Sequence, residues 1–351
     1  MKKHYLLLQN GKIFVGTAPD WQEGKIFHGE VVFTTGMCGY YENLTDPSFT
    51  GQILVFTYPL IGNYGVADRK YWESQKIHVA GVIVSESCVK WNHHQGLRSL
   101  QDWLEKESIP LLSEVDTREL AKVLRVEGTL LGAMADQQKT VTFKDPNLEN
   151  MVAKVSIPNK IFYGKGKKRV IAVDCGMKDS MIFYLQKFPI EIIRVPYNYD
   201  YSEETFDGIF LSNGPGDPAK CVETIAILKK VMERKTPIFG VCLGSQLLAL
   251  AAGAKTYKLP FGHRGQNQPC INLETRKCYV TSQNHGFAIN ENTLPKDWKI
   301  IFRNLNDGSV EGFGHAFLPF YTVQFHPEAS PGPTDTRWFF DRFYACLVKE
   351  L

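Results

Sequence analysis

The stretch "PIFGVCLGSQLLALAAG", residues 237–253, decides the fold of the second half of this chain of 351 residues. Its apolar beginning is typical of a buried strand, and its leucine- and alanine-rich end is typical of a helix. Between them, the pattern G-x-C-x-G puts Cys242 on a tight strand-to-helix turn, with a glycine two positions before it and another two positions after it. A free cysteine is often core packing, so this stretch alone leaves Cys242 either an inert thiol or a nucleophile.

From Arg169 onward, short apolar runs alternate with helix-length segments, as in "RVIAVDCG" at 169–176 and "FDGIFLSNGPGDP" at 206–218. This alternation predicts an α/β fold whose mostly parallel sheet is flanked by helices. Sites in such sheets lie beyond the carboxyl ends of the strands. The glycine-bearing turns at 212–218 and 240–244 are expected at such ends.

Residues 1 to about 130 consist of short strand-like runs separated by Gly, Asn, Asp and Pro. Helices are predicted near 97–108 and over 116–128, the second with Asp116 or Thr117 as its N-cap and a glycine at its end. This part of the sequence therefore predicts a strand-rich α+β domain. The predicted organisation is a first domain over 1–150, a linker over 151–168 and the α/β domain over 169–351.

The charge balance of 40 basic and 37 acidic side chains gives a net +3, too little to suggest nucleic acid or an anionic membrane as a main partner. Neither a signal-like apolar stretch of about 7–15 residues nor a run of about 20 that could span a bilayer is visible. The 8 cysteines include no CxxC pair and suggest neither a disulfide framework nor a metal site. We therefore expect a cytoplasmic protein that binds no metal.

The motif "QFHPE" at 324–328 follows a strand-like run and puts His326 where that strand ends. A cysteine–histidine pair needs a third group that fixes the imidazole tautomer, and the carboxylate of Glu328 can supply it. Standing alone, His326 would better be interpreted as a surface-loop histidine. Beside a cysteine on a strand-to-helix turn, the role of a base is favoured.

Two further motifs have alternative interpretations. The rigid turn "NGPGDP" at 213–218 is either structural or a holder of backbone N–H groups that bind an oxyanion; it lacks the lysine of a phosphate loop. The motif "QNHGF" at 283–287 can present polar groups to a ligand, but on sequence alone the prediction is a turn between two strands.

Together, N-G-P-G-D-P, G-x-C-x-G-x-Q, Q-N-H-G-F and H-P-E occur in the order that closely resembles the class I, triad-type glutamine amidotransferase family. The block "TGMCGYYENLTDPSFTGQILVFTYPLIGNYG" at 35–65 resembles the small, glutamine-hydrolysing subunits of carbamoyl-phosphate synthase. So do "DTRELAKVLRVEG" and "HPEASPGPTDT". The resemblance therefore extends over nearly the whole chain.

The resemblance implies that Cys242 attacks the side-chain amide of L-glutamine, that His326 moves the proton and that Glu328 orients His326. It also implies that ammonia passes through a tunnel to a large subunit, which holds ATP and its metal ions, so no cofactor is expected in this chain. Carbamoyl phosphate made there would feed arginine and pyrimidine biosynthesis. The implied glutamine-binding residues are Ser48, Gly214, Gly216, Leu243, Gln246, Asn284, Gly286 and Phe287.

One residue departs from the family pattern. The family usually has C-L-G-H-Q, whereas this chain has Ser245 before Gln246. Serine is compatible with the first turn of a helix, so the departure puts in doubt the rate or the coupling to a partner rather than the reaction. Three alternatives remain open: an amidotransferase with another ammonia acceptor, a non-catalytic scaffold that regulates a synthase, and a cysteine hydrolase of another substrate.

Overall fold

A computed structural model describes residues 1–138 and 140–349. Lys139, inside the predicted first domain, and Glu350 and Leu351, at the end of the predicted α/β domain, lie outside the described residues. The chain divides into two compact units. The first unit comprises residues 1–148 and 260–264, and the second comprises residues 149–259 and 265–351.

The first unit is built on a mixed sheet with the strand order β2-β1-β9-β3-β4-β6-β8. Neighbouring strands are parallel from β3 to β8 and antiparallel in the remainder, and β5 pairs with β7 in a small parallel sheet. The predicted strand-rich α+β fold is thus confirmed. The strands are β1 (Lys2–Leu8), β2 (Ile13–Ala18), β3 (Phe27–Thr34), β4 (Gln52–Phe56), β5 (Leu60–Ile61), β6 (Gly81–Ile83), β7 (Glu86–Ser87), β8 (Leu111–Leu112) and β9 (Leu130–Ala135), and the helices are α1 (Tyr40–Thr45), α2 (Leu100–Lys106) and α3 (Thr117–Glu127).

Helix α3 follows from local sequence signals. The Asp116 carboxylate accepts a hydrogen bond from the backbone N–H of Glu119 at 2.8 Å, which satisfies one of the unpaired donors of the first turn. Gly128, with φ +88°, ends the helix in a conformation that L side chains rarely adopt. Leu120 and Leu124 are buried in the core, so the amphipathic pattern and the predicted N-cap are both confirmed.

The second unit has a sheet with the order β10-β12-β11-β13-β14-β19-β18-β17-β15-β16. Its centre, from β12 to β19, is parallel as predicted. The antiparallel strands that extend the centre on both sides were not predicted. The strands are β10 (Ile161–Tyr163), β11 (Lys168–Asp174), β12 (Ile190–Pro196), β13 (Gly208–Leu211), β14 (Ile238–Val241), β15 (Lys255–Asn272), β16 (Cys278–Asn290), β17 (Trp298–Asn304), β18 (Val310–His315) and β19 (Phe320–Val323), and the helices are α4 (Asp179–Leu185), α5 (Val222–Met232), α6 (Leu243–Ala251) and α7 (Trp338–Val348).

Burial on both faces explains the apolar strands of this centre. In β11, Ile171 and Val173 belong to a core that also contains residues of α5 and α6. Val170 and Ala172 point to the opposite face, where residues of α4 and α7 pack. Because successive side chains of a strand alternate between the faces, a strand covered on both sides is apolar throughout.

The segment predicted as a linker contains ordered structure. Strand β10 pairs antiparallel with β12, and Val152 is fully buried in a core of the second unit. The Ser156 hydroxyl donates to the carbonyl oxygen of Asp174 at 2.6 Å. The polar composition concealed this packing, because a strand of three residues is too short to show an alternating pattern.

The helices of this protein are short. Helices α3, α5 and α7 each span 11 residues, whereas crossing a bilayer takes about 20 apolar residues. Within residues 1–138 and 140–349, no helix combines the length and the apolar character needed to cross a membrane.

Candidate active site

Cys242 lies on a strained turn between β14 and α6. Its backbone has φ 54° and ψ −107°, a conformation that costs a residue other than glycine about 1–3 kcal/mol and is found mostly at functional sites. Its N–H donates to the carbonyl oxygen of Val323 at 2.9 Å, and its carbonyl accepts from the N–H groups of Ser245 and Gln246. The turn is therefore held from both sides.

The two glycines of G-x-C-x-G are required by close backbone packing. A Cβ atom at Gly240 would lie 2.7 Å from the carbonyl group of Gly244. A Cβ atom at Gly244 would lie 2.4 Å from the carbonyl oxygen of Leu211. Both distances are shorter than real Cβ contacts, so any larger residue would push α6 away from the sheet and displace Cys242.

The thiol of Cys242 lies in an enclosed position at the start of a helix. The residue is 2% exposed, and its Sγ is 3.5 Å from the carbonyl oxygen of Asn284. Leu243 is the first residue of α6, so its N–H is one of those that have no acceptor within the helix. Such N–H groups can bind an anionic oxygen, and this one directly follows the thiol-bearing residue.

His326 and Glu328 form a buried pair. The Nδ1 atom of His326 is 2.6 Å from a carboxylate oxygen of Glu328, which leaves Nε2 to face other groups. Burial disfavours the imidazolium, but the charge of Glu328 and, next, that of Cys242 outweigh it and raise the pKa of His326 to about 10. The pair is thus arranged to hold a proton on His326, and the interaction with Cys242 connects the imidazole to the thiol.

Lys178 is a further member of this cluster that no sequence motif predicted. Its Nζ atom donates to Glu328 at 2.8 Å and to the carbonyl oxygen of Ser330 at 2.6 Å, and the residue is 3% exposed. Burial would raise the pKa of Glu328, but Lys178 and then His326 lower it to about 2. Lys178 directly follows the loop after β11, so the rule that sites lie at carboxyl strand ends was a usable signal for it.

The turn "NGPGDP" lies beside α6. A Cβ atom at Gly214 would be 2.0 Å from the carbonyl oxygen of Cys175 and 2.7 Å from a side-chain atom of Leu243. Gly216 has φ +83°, and a Cβ atom there would be 3.0 Å from the side chain of Met151. Both glycines are therefore required sterically, and the structure brings Gly214 next to the residue that follows Cys242.

The prediction of a turn at Asn284, His285 and Gly286 is wrong, because these residues lie inside β16. His285 Nδ1 is 2.9 Å from the carbonyl oxygen of Phe287, and that oxygen also accepts from Nε2 of Gln246 at 2.8 Å. The polar groups that suggested a turn thus find partners along the strand and on α6. This segment reaches Cys242 through the carbonyl group of Asn284.

Ser245 lies in the first turn of α6 and is fully buried. Its Oγ is 2.9 Å from Oγ1 of Thr322, which in turn donates to the carbonyl oxygen of Phe313 at 3.1 Å. The serine that departs from the family pattern is therefore satisfied by strand β19.

The predicted residues fall in both units. Ser48 lies in the first unit, in a short 3-10 turn (Pro47–Phe49) capped by the carboxylate of Asp46, and is 5% exposed. The second unit contains the other predicted residues. They are Cys242, His326 and Glu328 together with Gly214, Gly216, Leu243, Gln246, Asn284, Gly286 and Phe287.

Two known families match the chain. Residues 171–346 match the family described as glutamine amidotransferase class-I. Residues 6–134 match the carbamoyl-phosphate synthase small chain, CPSase domain. The matches thus cover most of both units.

Similar proteins extend this result. The carbamoyl phosphate synthase arginine-specific small chain of Saccharomyces cerevisiae is 45% identical over 366 residues, which cover 97% of this chain and 88% of that protein. Multifunctional protein CAD of Squalus acanthias is 45% identical over 355 residues, 97% of this chain but 16% of that protein. The mitochondrial carbamoyl-phosphate synthase [ammonia] of Rattus norvegicus is 45% identical over 333 residues, 92% of this chain and 22% of that protein. The chain therefore spans about a fifth or less of these two longer relatives. The two matched regions and the likeness to the yeast small chain show that this chain belongs to the carbamoyl-phosphate synthase small-chain family and contains a class I glutamine amidotransferase domain.

Proposed function

We propose that this chain hydrolyses L-glutamine to glutamate and ammonia and delivers the ammonia to a carbamoyl-phosphate synthase large subunit. The observation that carries this proposal is the enclosed cluster in which a strained Cys242 interacts with the His326–Glu328 pair. A thiol beside an imidazole that a carboxylate orients is the arrangement that acyl transfer through a covalent intermediate needs.

The first step forms the sulfur–carbon bond. With the thiol proton of Cys242 transferred to Nε2 of His326, Sγ attacks the carboxamide carbon of glutamine, and the π electrons of the C=O bond move to its oxygen. The N–H of Leu243 and an N–H of the turn at 214–216 would stabilise this oxyanion, with each donor contributing about 2.7–4 kcal/mol in comparable sites. The nearness of Gly214 to Leu243 supports this pairing of donors.

The second step breaks the carbon–nitrogen bond. The departing nitrogen takes a proton from Nε2 of His326, which releases ammonia and leaves a γ-glutamyl thioester on Cys242. A water molecule then gives its proton to Nε2 and attacks the thioester carbon, which releases glutamate and restores the cysteine sulfur. Glu328 orients the imidazole through both steps, and Lys178 keeps Glu328 charged.

Glutamine would be recognised by Gln246, Asn284, Gly286 and Phe287, and the family resemblance also assigns glutamine binding to Ser48. Supporting this, Nε2 of Gln246 bonds to the carbonyl oxygen of Phe287 and to Oε1 of Gln324 at 3.0 Å. Both contacts orient the amide of Gln246. Its own oxygen is then available to accept from a substrate N–H group.

The proposed partner supplies the remaining chemistry. A large subunit would hold ATP and its metal ions and would combine ammonia with bicarbonate to form carbamoyl phosphate for arginine and pyrimidine biosynthesis. Membership of the small-chain family supports such a partner. The name of the yeast relative, an arginine-specific small chain, supports the link to arginine.

Replacing the nucleophile tests the proposal. We expect Cys242→Ser to abolish glutamine hydrolysis while ammonia-dependent synthesis by the reconstituted pair is retained. Cys278→Ser, at an exposed cysteine, is the matched control and should keep the full rate. A diazo-ketone analogue of glutamine should label Cys242. Retained hydrolysis in Cys242→Ser, or labelling of Cys175 or Cys221 instead, would contradict the mechanism.

A non-catalytic, regulatory role is the second candidate. It is favoured by one observation, the name of the rat relative, which describes a synthase that uses ammonia. In that case the wild-type chain would release no ammonia from glutamine, and Cys242→Ser would change nothing. The two candidates therefore differ already in the wild-type glutaminase assay.

A further inference from the structure

The first unit contains a groove of about 530 Å³ at the carboxyl ends of its parallel strands. Strands β3, β4 and β6 end at this groove, and α3 forms its other side. In open α/β sheets, ligands usually bind at this edge. We call it the cationic groove. The lining residues that matter here are Thr35, Thr57, Ser85, Arg118, Lys122 and Arg125.

The cations of the groove form a row on one face of α3. Arg118, Lys122 and Arg125 stand at i, i+4 and i+7 and are exposed, so they extend over about 10 Å along the helix. Lys122 pairs with Glu119 at the surface. Among the described residues, Arg118 and Arg125 make no ion pair or side-chain hydrogen bond. The carboxylate of Asp116, which also lines the groove, already accepts from the backbone of Glu119.

The stability of α3 does not explain Arg118. It stands in the first turn, where the positive end of the helix dipole disfavours a cation. It is also four residues from Lys122, a spacing at which like charges are destabilising. The neighbouring Asp116 and Glu119 have the charge that this end of a helix prefers. Arg118 thus opposes the local electrostatics, which points to an anionic group supplied from outside the chain.

We propose that the cationic groove docks an acidic segment of the synthetase partner; this inference rests on the proposed function. A row of exposed cations fits an extended acidic segment better than a small anion, which needs donors that converge on one point. Val126, one turn after Lys122, is 85% exposed and adds an apolar contact suited to protein. The hydroxyl groups of Thr35 and Ser85 can bond to carboxylates or to peptide backbone.

The test compares two double charge reversals in the full chain. Arg118→Glu/Arg125→Glu changes the groove, and Lys90→Glu/Lys106→Glu changes exposed cations elsewhere in the first unit. Each substitution replaces a positive charge with a negative one and so lowers the net charge by two. Both double variants therefore change the formal net charge from +3 to −1. They therefore affect long-range attraction equally. The dissociation constant and the association rate for the purified large subunit are measured at low and at high salt.

We expect the groove variant to bind the large subunit about 30-fold or more weakly at low salt, and the control variant within about threefold of wild type. Glutamine hydrolysis by the isolated chain should be unchanged in both. Equal losses in both variants, or no loss in the groove variant, would overturn the inference. Inorganic phosphate provides a further check. If phosphate raises the melting temperature of the wild type but not of the groove variant, while both bind the large subunit equally well, the ligand of the groove is a free anion and the inference is overturned.

The proposed function fails by a different measurement. If the wild-type chain releases no ammonia from glutamine, glutaminase activity is disproved whatever the binding data show. If it does release ammonia while the two variants bind alike, the groove inference fails and glutaminase activity stands.

Discussion

The two units use the same edge of a parallel sheet in different ways. In the second unit, the carboxyl ends of the strands lead to Cys242, His326 and Glu328, all at most 2% exposed, and to Lys178 at 3%. In the first unit, the same edge leads to the cationic groove, whose row of charges is exposed. The difference is in how the charges are neutralised: by buried partners of the same chain in the cluster, but by solvent at Arg118 and Arg125 of the groove.

Because the charges of the cluster are buried and those of the groove are exposed, substitutions at the two places should differ in their effect on stability. An ionised group removed from water is costly unless it is paired and hydrogen-bonded, and breaking a buried pair costs about 3–5 kcal/mol. An exposed charge contributes little to stability, with or without a partner. Substitutions in the enclosed cluster should therefore have large effects on activity and stability. Those in the groove should leave the fold nearly unchanged.

The largest effect is expected for Glu328→Gln. It removes the charge that orients His326 and leaves the buried Lys178 ammonium without its counter-ion. By analogy with the catalytic triads of known hydrolases, kcat for the proposed glutamine hydrolysis should fall by about 10²–10⁴-fold. Ammonia-dependent synthesis by the reconstituted pair should be retained. Glu274→Gln, at an exposed carboxylate of the same unit, is the control; a loss below about tenfold in Glu328→Gln would place orientation of His326 elsewhere.

Lys178→Met is expected to lower the free energy of unfolding by about 3 kcal/mol near neutral pH, because it breaks a buried pair. The pKa of Glu328 is about 2 in the folded chain and about 4.3 when unfolded. Its ionisation therefore stabilises the fold above about pH 4.3, and this contribution is lost as the pH falls towards 2. Lys178→Met raises the folded pKa of Glu328, so the loss in the variant should shrink on acidification.

Urea unfolding at pH 6 and pH 3 measures this difference, with Lys296→Met at an exposed lysine as the control. A difference between Lys178→Met and wild type that is the same at both pH values would mean that Lys178 acts by packing alone, through its aliphatic chain.

Short sequence motifs indicate Cys242, whereas only its position after β11 indicates Lys178. The strand-to-helix turn at Cys242 depends on glycines within two residues of it, and His326 and Glu328 are two residues apart, so short motifs contain each feature. The Lys178–Glu328 pair joins residues 150 positions apart, and a lysine before a helix is common in any chain. Its role depends on how two strand ends meet in the fold.

The contrast between local and long-range contacts also explains why the sequence predicted a turn at Asn-His-Gly and did not predict the cationic groove. Asn-His-Gly was interpreted as a turn because its residues favour turns locally, whereas the partners that keep it in β16 come from α6 and from the strand itself. The N-cap and the amphipathic face of α3 were visible in the sequence. The groove was not, because it needs the ends of β3, β4 and β6 beside that helix.

A smaller effect is expected for Ser245→Ala. It removes the contact with the Thr322 hydroxyl, which keeps its bond to the carbonyl oxygen of Phe313. The loss should be about 1 kcal/mol in the free energy of unfolding, with glutaminase kcat within about twofold of wild type. Thermal unfolding and steady-state kinetics check both numbers. A tenfold change in kcat would show that this buried position is coupled to Cys242, and would extend the enclosed cluster into α6.

The smallest effect, and the one with the opposite sign, is expected for Arg118→Gln. It removes a cation from the first turn of α3, four residues from the like charge of Lys122, so the free energy of unfolding should rise by about 0.5 kcal/mol at low salt. Arg125→Gln is the matched control, because Arg125 stands in the last turn, where the dipole favours a cation, and its loss should be neutral or slightly destabilising. The difference between the two variants should fade at high salt, since both residues are exposed. If Arg118→Gln were instead destabilising by more than about 1 kcal/mol, Arg118 would be supporting the fold, as the charges of the enclosed cluster do.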